Sequence, residues 1–142
     1  MYIYAENGMG TYKDDDPANF RIDLGTTIEL EGSWEMALLD IDLPTMKKGY
    51  NPIFLTLYSD VCSESIEDGV QRPVLHRVFK ADFKGGKALT ITTPRYVPIN
   101  SKSIRNIHIY ILDYRGEKPS FQQGRTTCTL HLRKAKWTTT EF

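Results

Sequence analysis

The residues best suited to chemistry are few and scattered along the chain. Asp14, Asp15 and Asp16 offer hard oxygen ligands for a cation. They are contiguous, however, whereas a calcium loop spaces its ligands alternately, so the expectation is a solvated acidic loop. The three histidines, His76, His108 and His131, form no His-x-His or His-Glu-x-x-His pair, and this spacing does not make a metal site. Cys62 and Cys128 are the two cysteines, too few and too distant for a disulfide framework or a zinc cluster. Cys62 has no histidine close in sequence and reads as a buried structural thiol. Arg133, Lys134 and Lys136 beside Trp137 make a short basic cluster that could neutralise phosphates and stack on a base. Three charges supply little affinity, and a solvated C-terminal end is the simpler expectation. Gly-x-Ser-x-Gly, Walker and dinucleotide-binding patterns do not occur. No catalytic, metal or cofactor-binding residue is therefore assigned. Neither an enzyme, a cofactor nor nucleic-acid contact is expected.

These side chains lie on a chain with a strong period of two. Cys128, Leu130 and Leu132 alternate with Thr127, Thr129, His131 and Arg133, the pattern of a half-buried strand. Ile107, Ile109 and Ile111 alternate in the same way with His108 and Tyr110. Phe20, Ile22 and Leu24 begin another strand, and Trp34, Met36 and Leu38 the next, after a Gly32-Ser33 turn. The apolar parity then switches to Leu39, Ile41 and Leu43, which predicts a β-bulge or a bend between sheets. Ile53 to Tyr58 is apolar on both faces, as an inner strand is, and Val74 to Phe79 follows. Ser63 to Gly69 reads as a polar loop, Gly85-Gly86 as a turn, and Leu89 to Thr93 and Tyr96 to Ile99 as short strands. Trp34, Tyr58 and Phe121 are expected in the core. No segment has a helical period.

About eight strands separated by turn signals predict an all-β fold, a single eight-stranded antiparallel jelly roll of the β-sandwich type. The expected organisation is an N-terminal arm over 1–19, one jelly-roll domain over 20–134 and a C-terminal tail over 135–142. A chain of 142 residues is one domain's worth and buries roughly 68–70% of its unfolded surface. No apolar run is long enough to span a membrane as a helix, so membrane insertion is not expected. The start of the chain lacks the basic and apolar regions of a signal peptide, and with only two cysteines the expectation is synthesis in a reducing compartment. Net charge is zero but unevenly divided. Residues 1–42 carry ten acidic and two basic side chains, and residues 43–142 carry eight acidic and sixteen basic, a split of −8 and +8. Such a split serves either attraction within one fold or head-to-tail contact between copies, with Asp14 to Asp16 or Asp40 and Asp42 facing basic positions.

Four segments in order carry a family likeness: Phe20-Arg-Ile-Asp-Leu with Ile28-Glu-Leu-Glu-Gly-Ser-Trp-Glu-Met-Ala-Leu to Leu43-Pro44; Leu57-Tyr-Ser-Asp-Val with Asp68-Gly-Val and Arg72-Pro-Val-Leu-His-Arg-Val; Arg95-Tyr-Val-Pro-Ile with Ile104 to Leu112; and Gly116 to Arg133. From about Phe20 to Lys134 the chain resembles the minor capsid, or penton, proteins of Maverick/polinton elements and of related virophages and adintoviruses. The resemblance implies a viral structural protein with a single jelly roll. Five copies would form the vertex of an icosahedral capsid beside a double jelly-roll major capsid protein, with other minor capsid proteins as further neighbours. It also implies a place in the virion after synthesis inside the host cell. The chain is short for the family and has no insertion projecting from the barrel, which leaves receptor binding without a carrier. Leu132 stands where the family pattern has an aromatic. The competing class is a jelly-roll ligand-binding module, carbohydrate-binding or lectin-like.

Overall fold

The computed structural model describes residues 1–7, 16–83 and 87–135. Among them the chain forms thirteen strands: β1 (Tyr2–Glu6), β2 (Asn19–Glu29), β3 (Trp34–Asp42), β4 (Thr45–Met46), β5 (Phe54–Ser59), β6 (Ser65–Glu67), β7 (Val70–Arg72), β8 (Val74–Phe79), β9 (Ala88–Thr90), β10 (Val97–Pro98), β11 (Ser103–Asp113), β12 (Phe121–Gln123) and β13 (Thr127–Lys134). The only helical element among the described residues is a 3-10 turn over Lys80–Phe83. The expected all-β class therefore holds, with more and shorter strands than the alternating segments alone indicated.

All pairings are antiparallel. One sheet runs β1-β13-β3-β10, with β9 pairing the far end of β3; the second runs β2-β11-β5-β8. Two small ribbons, β12-β4 and β6-β7, complete the set. The inner faces of the two large sheets share one hydrophobic core. Alternation places Leu130 and Leu132 of β13 and Ile107, Ile109 and Ile111 of β11 in that core, each at most 1% exposed. Met36 and Leu38 of β3 and Leu57 of β5 join them, all fully buried. Each such side chain contributes about 1.5–3 kcal/mol by leaving water.

The parity switch in β3 is a bulge. Leu130 pairs with Leu38 and Thr129 with Asp40, so Leu39 is the extra residue. Its carbonyl accepts the N–H of Ile91 at 2.8 Å. The bulge lets Leu38 and Ile41 both reach the core, at 0% and 1% exposure, although their separation of three would otherwise place them on opposite faces.

Three expectations need correction. Tyr2–Glu6, placed in an arm, is a sheet strand: Ile3 and Ala5 point into the core while Tyr2 and Tyr4 stay outside. Ser63 to Gly69, read as a loop, instead belongs to a hairpin in which Ser65 pairs with Arg72 and Glu67 with Val70. Its turn is Asp68-Gly69, with φ of 51° and 80°, the left-handed pair that a two-residue hairpin loop requires. Trp34, expected deep in the core, is only half-buried at the start of β3, where its indole N–H donates to the carbonyl of Glu31 at 2.9 Å. Gly85-Gly86, Asp14, Asp15, Lys136 and Trp137 lie outside the described residues.

Candidate interaction faces

The side chains singled out for chemistry do not converge. Among the described residues no three His, Cys, Asp or Glu side chains come together in a way that could hold a metal ion. Cys62 and Cys128 are both free and buried. Burial, with Asp60 adding to it, pushes the Cys62 thiol up to about 12. Burial, with Asp40 adding, does the same for Cys128. Both are thiols at neutral pH, and it is the thiolate that reacts. Asp16 is a turn residue: its carboxylate accepts the backbone N–H of Ala18 at 2.7 Å and pairs with Lys118.

The three histidines occupy three different settings. His108 bonds the side-chain oxygen of Asn19 on the neighbouring strand. His76 lines a groove with Phe79 of β8 and with Arg95 and Val97, and its Nδ1 has no hydrogen-bond partner among the described residues. Burial first, then the Arg95 charge, lowers its pKa, with Asp82 opposing. His131 stands on the outer face of the first sheet. Its ring stacks on Tyr2 with centroids 4.5 Å apart, and its Nδ1 is 2.6 Å from the Tyr96 hydroxyl. Arg133 lies 3.4 Å over the Tyr96 ring and bonds Glu35 at 2.8 Å. The basic residue expected at the end of the chain is thus held by an aromatic ring and a carboxylate.

The outer face of the second sheet carries a second network. Tyr58 of β5 and Tyr110 of β11 are directly paired, and their rings stack at 4.8 Å and 14°. The Tyr58 hydroxyl donates to Glu67 of the β6-β7 hairpin, and Arg77 of β8 bonds the other carboxylate oxygen at 2.9 Å. Arg77 also lies 4.2 Å over the Phe54 ring. Glu67, its side chain only 12% exposed, ties the hairpin down on the sheet. Ile66, Val70, Phe79 and Tyr114 remain exposed around this face, and Tyr2 and Tyr4 on the other.

Three ion pairs bear on the charge split: Lys118–Asp16, Arg125–Glu6 and Arg133–Glu35. Each joins the acidic first third of the chain to the basic remainder, so part of the asymmetry is matched within one copy. These networks are not legible in the sequence, because alternation identifies outward positions without saying which of them meet. The two faces offer ordered rings and, at Glu35–Arg133 and Glu67–Arg77, carboxylates already matched by cations. Comparison of the chain with protein-family models, with curated proteins and with solved structures gives no match.

Proposed function

We propose that this chain is a single jelly-roll capsid subunit, a minor capsid protein that takes the five-fold vertex of an icosahedral shell. The observation carrying the reading is the order of strand pairing. Taken along the chain, the principal strands are β1, β2, β3, β5, β8, the β9–β10 stretch, β11 and β13. The first pairs with the last, β2 with β11, β3 with β9 and β10, and β5 with β8. That nesting is what a single long antiparallel hairpin keeps when it is rolled up. The remaining contacts, β13 with β3 and β11 with β5, are those the rolling creates. This order of pairing supports a jelly-roll reading, an arrangement capsid subunits use. The likeness of four ordered segments to polinton-type penton proteins supplies the vertex role.

On this reading five copies associate head to tail, and a double jelly-roll major capsid protein surrounds the ring. Asp40 and Asp42 have no ion pair among the described residues and remain for contacts between copies. Such contacts weaken as the Debye length drops from about 10 Å at 0.1 M salt to about 3 Å at 1 M. Native mass spectrometry of the chain co-expressed with the double jelly-roll partner tests the proposal. A five-copy ring is expected. A strict monomer in the partner's presence, or a two-fold dimer in the assembled particle, refutes it. One observation favours the ligand-binding alternative: Tyr2 and Tyr4, 58% and 70% exposed, stand two apart on one strand face beside His131. Stoichiometric glycan binding that disappears in Tyr4→Ala would favour that reading.

A further inference from the structure

One end of the core is not filled. Where β3 ends, β5 begins and β8 ends, a cavity of about 250 Å³ opens between the sheets. Its floor is core: Leu43, Leu55 and Val78 line it and are 4%, 3% and 1% exposed. Met46 of β4 and Phe83 of the 3-10 turn form walls, both packed against the same core. The charged side chains lining it are Lys80 and Lys87, and no carboxylate is among its lining residues. Neither lysine has an ion pair among the described residues. An apolar hole with two unmatched ammonium groups beside it suits one kind of molecule, an aliphatic chain ending in an anion.

We infer that this cavity binds a medium-chain fatty carboxylate, the chain lying on Leu43, Leu55 and Val78 and the carboxylate meeting Lys80 and Lys87. Pockets for small ligands are lined mainly by apolar side chains, with a few charged or polar groups fixing orientation. Lysine stems cover apolar surface while their ammonium groups stay in water, so exposed lysines can close over a chain and still meet its head. The volume sets the length. At roughly 30 Å³ per water-sized unit, the cavity holds about eight, and a methylene is of similar size. Binding should therefore tighten roughly fourfold per methylene, the effect of burying each one, up to a chain of about eight carbons, and then level off. The inference is independent of the capsid reading, since it concerns one copy of the chain.

Isothermal titration of the full chain with a series of straight-chain carboxylates from butanoate to dodecanoate, and with octylammonium, is the test. One site per chain is expected, with the length dependence just described and octylammonium at least tenfold weaker than octanoate. The double variant Lys80→Glu with Lys87→Glu changes two exposed side chains and should reverse that preference. Met46→Trp, which fills the cavity from its wall, should remove binding of both ligands while the circular dichroism spectrum stays that of the parent. The assignment is overturned by any of four results: no binding of octanoate, equal binding of the two head groups, affinity that keeps rising to dodecanoate, or a preference that survives the double charge reversal.

Discussion

Removing the Tyr58 hydroxyl should loosen the β6-β7 hairpin without disturbing the core. The ring is 3% exposed and stacks on Tyr110, so Tyr58→Phe keeps the packing and deletes the hydroxyl that bonds Glu67. A hydrogen bond to a charged acceptor contributes about 1.5–3 kcal/mol. Glu67 keeps Arg77 as a partner, so the loss belongs at the lower end, about 1.5 kcal/mol. Glu67→Ala removes the acceptor and also gives up the ion pair with Arg77, whose side chain is 37% exposed. Solvent screening holds that part below about 1 kcal/mol, and the total comes to about 2 kcal/mol. The two changes share one bond, so the double variant should fall short of additivity by about 1–1.5 kcal/mol. With a urea m-value of about 2 kcal/mol per molar, Tyr58→Phe shifts the unfolding midpoint down by roughly 0.7 M. A two-stranded ribbon is marginal by itself, so the amides of Ile66 and Gln71 should also exchange faster in both variants. There is a pH signature as well. Burial first, then Glu67, pushes the Tyr58 phenol up to about 12, while an unfolded tyrosine titrates near 10. The native state thus holds the proton that the unfolded state has lost, and stability falls as pH climbs from about 10 towards 12. Tyr58→Phe should flatten that part of the curve. A midpoint shift below about 0.2 M together with zero coupling would show that this bond does not hold the hairpin.

Deleting Leu39 removes the extra residue of the bulge and forces either Met36 and Leu38 or Ile41 and Leu43 out of the core. At about 2–5 kcal/mol for each large side chain lost, the variant should not fold, whereas Leu39→Ala should; a folded deletion variant by circular dichroism would contradict the bulge. With both thiols pushed up to about 12, only about one in 10,000 is thiolate at pH 8. Cys62 and Cys128 should therefore resist a thiol-specific reagent in the native protein and react together on unfolding; fast native labelling of either would refute their burial. The lowered pKa of His76 means that the unfolded state takes up a proton first as pH falls below about 6.5. Stability should therefore decline from pH 7 to pH 5, and His76→Gln should reduce that slope in urea titrations; an unchanged slope would place the proton uptake elsewhere.

Periodicity revealed the strands that bury one face and little beyond them. β11 and β13 were legible because five or more residues alternate without interruption, and the break at Leu39 was legible because an insertion reverses parity. β1 was missed because only Ile3 and Ala5 mark its inner face, too few to establish a period. The β6-β7 hairpin was missed for a different reason: its apolar residues, Ile66 and Val70, are 68% and 49% exposed and build no core-facing pattern. Asp68-Gly69 was the available signal, since an Asp-Gly pair favours the two-residue turn. Trp34 shows the opposite failure. Its size suggests burial, but it stands directly after the Gly32 turn, where the strand has just entered the sheet and one side of the ring remains in solvent.

Alternation assigns faces and says nothing of neighbours, so the order of strands had to come from somewhere else. The charge distribution held part of that information. β13 lies between β1 and β3, both from the acidic first 42 residues, and it lies antiparallel to each. Laying the basic end of the chain back along its acidic start brings Arg133 to Glu35 and, just before β13, Arg125 to Glu6. Lys118 reaches Asp16 in the same sense. These pairs are partly exposed and each contributes modestly to stability. Their role is in register: like charges directly opposite one another on neighbouring strands are destabilising, and an acidic start is best accommodated beside a basic end. The −8 and +8 split follows in part from a chain whose last strand returns to its first. Asp40 and Asp42 lie on the same acidic stretch and have no such partner among the described residues, so the pairing that sets the register uses only part of the acidic charge.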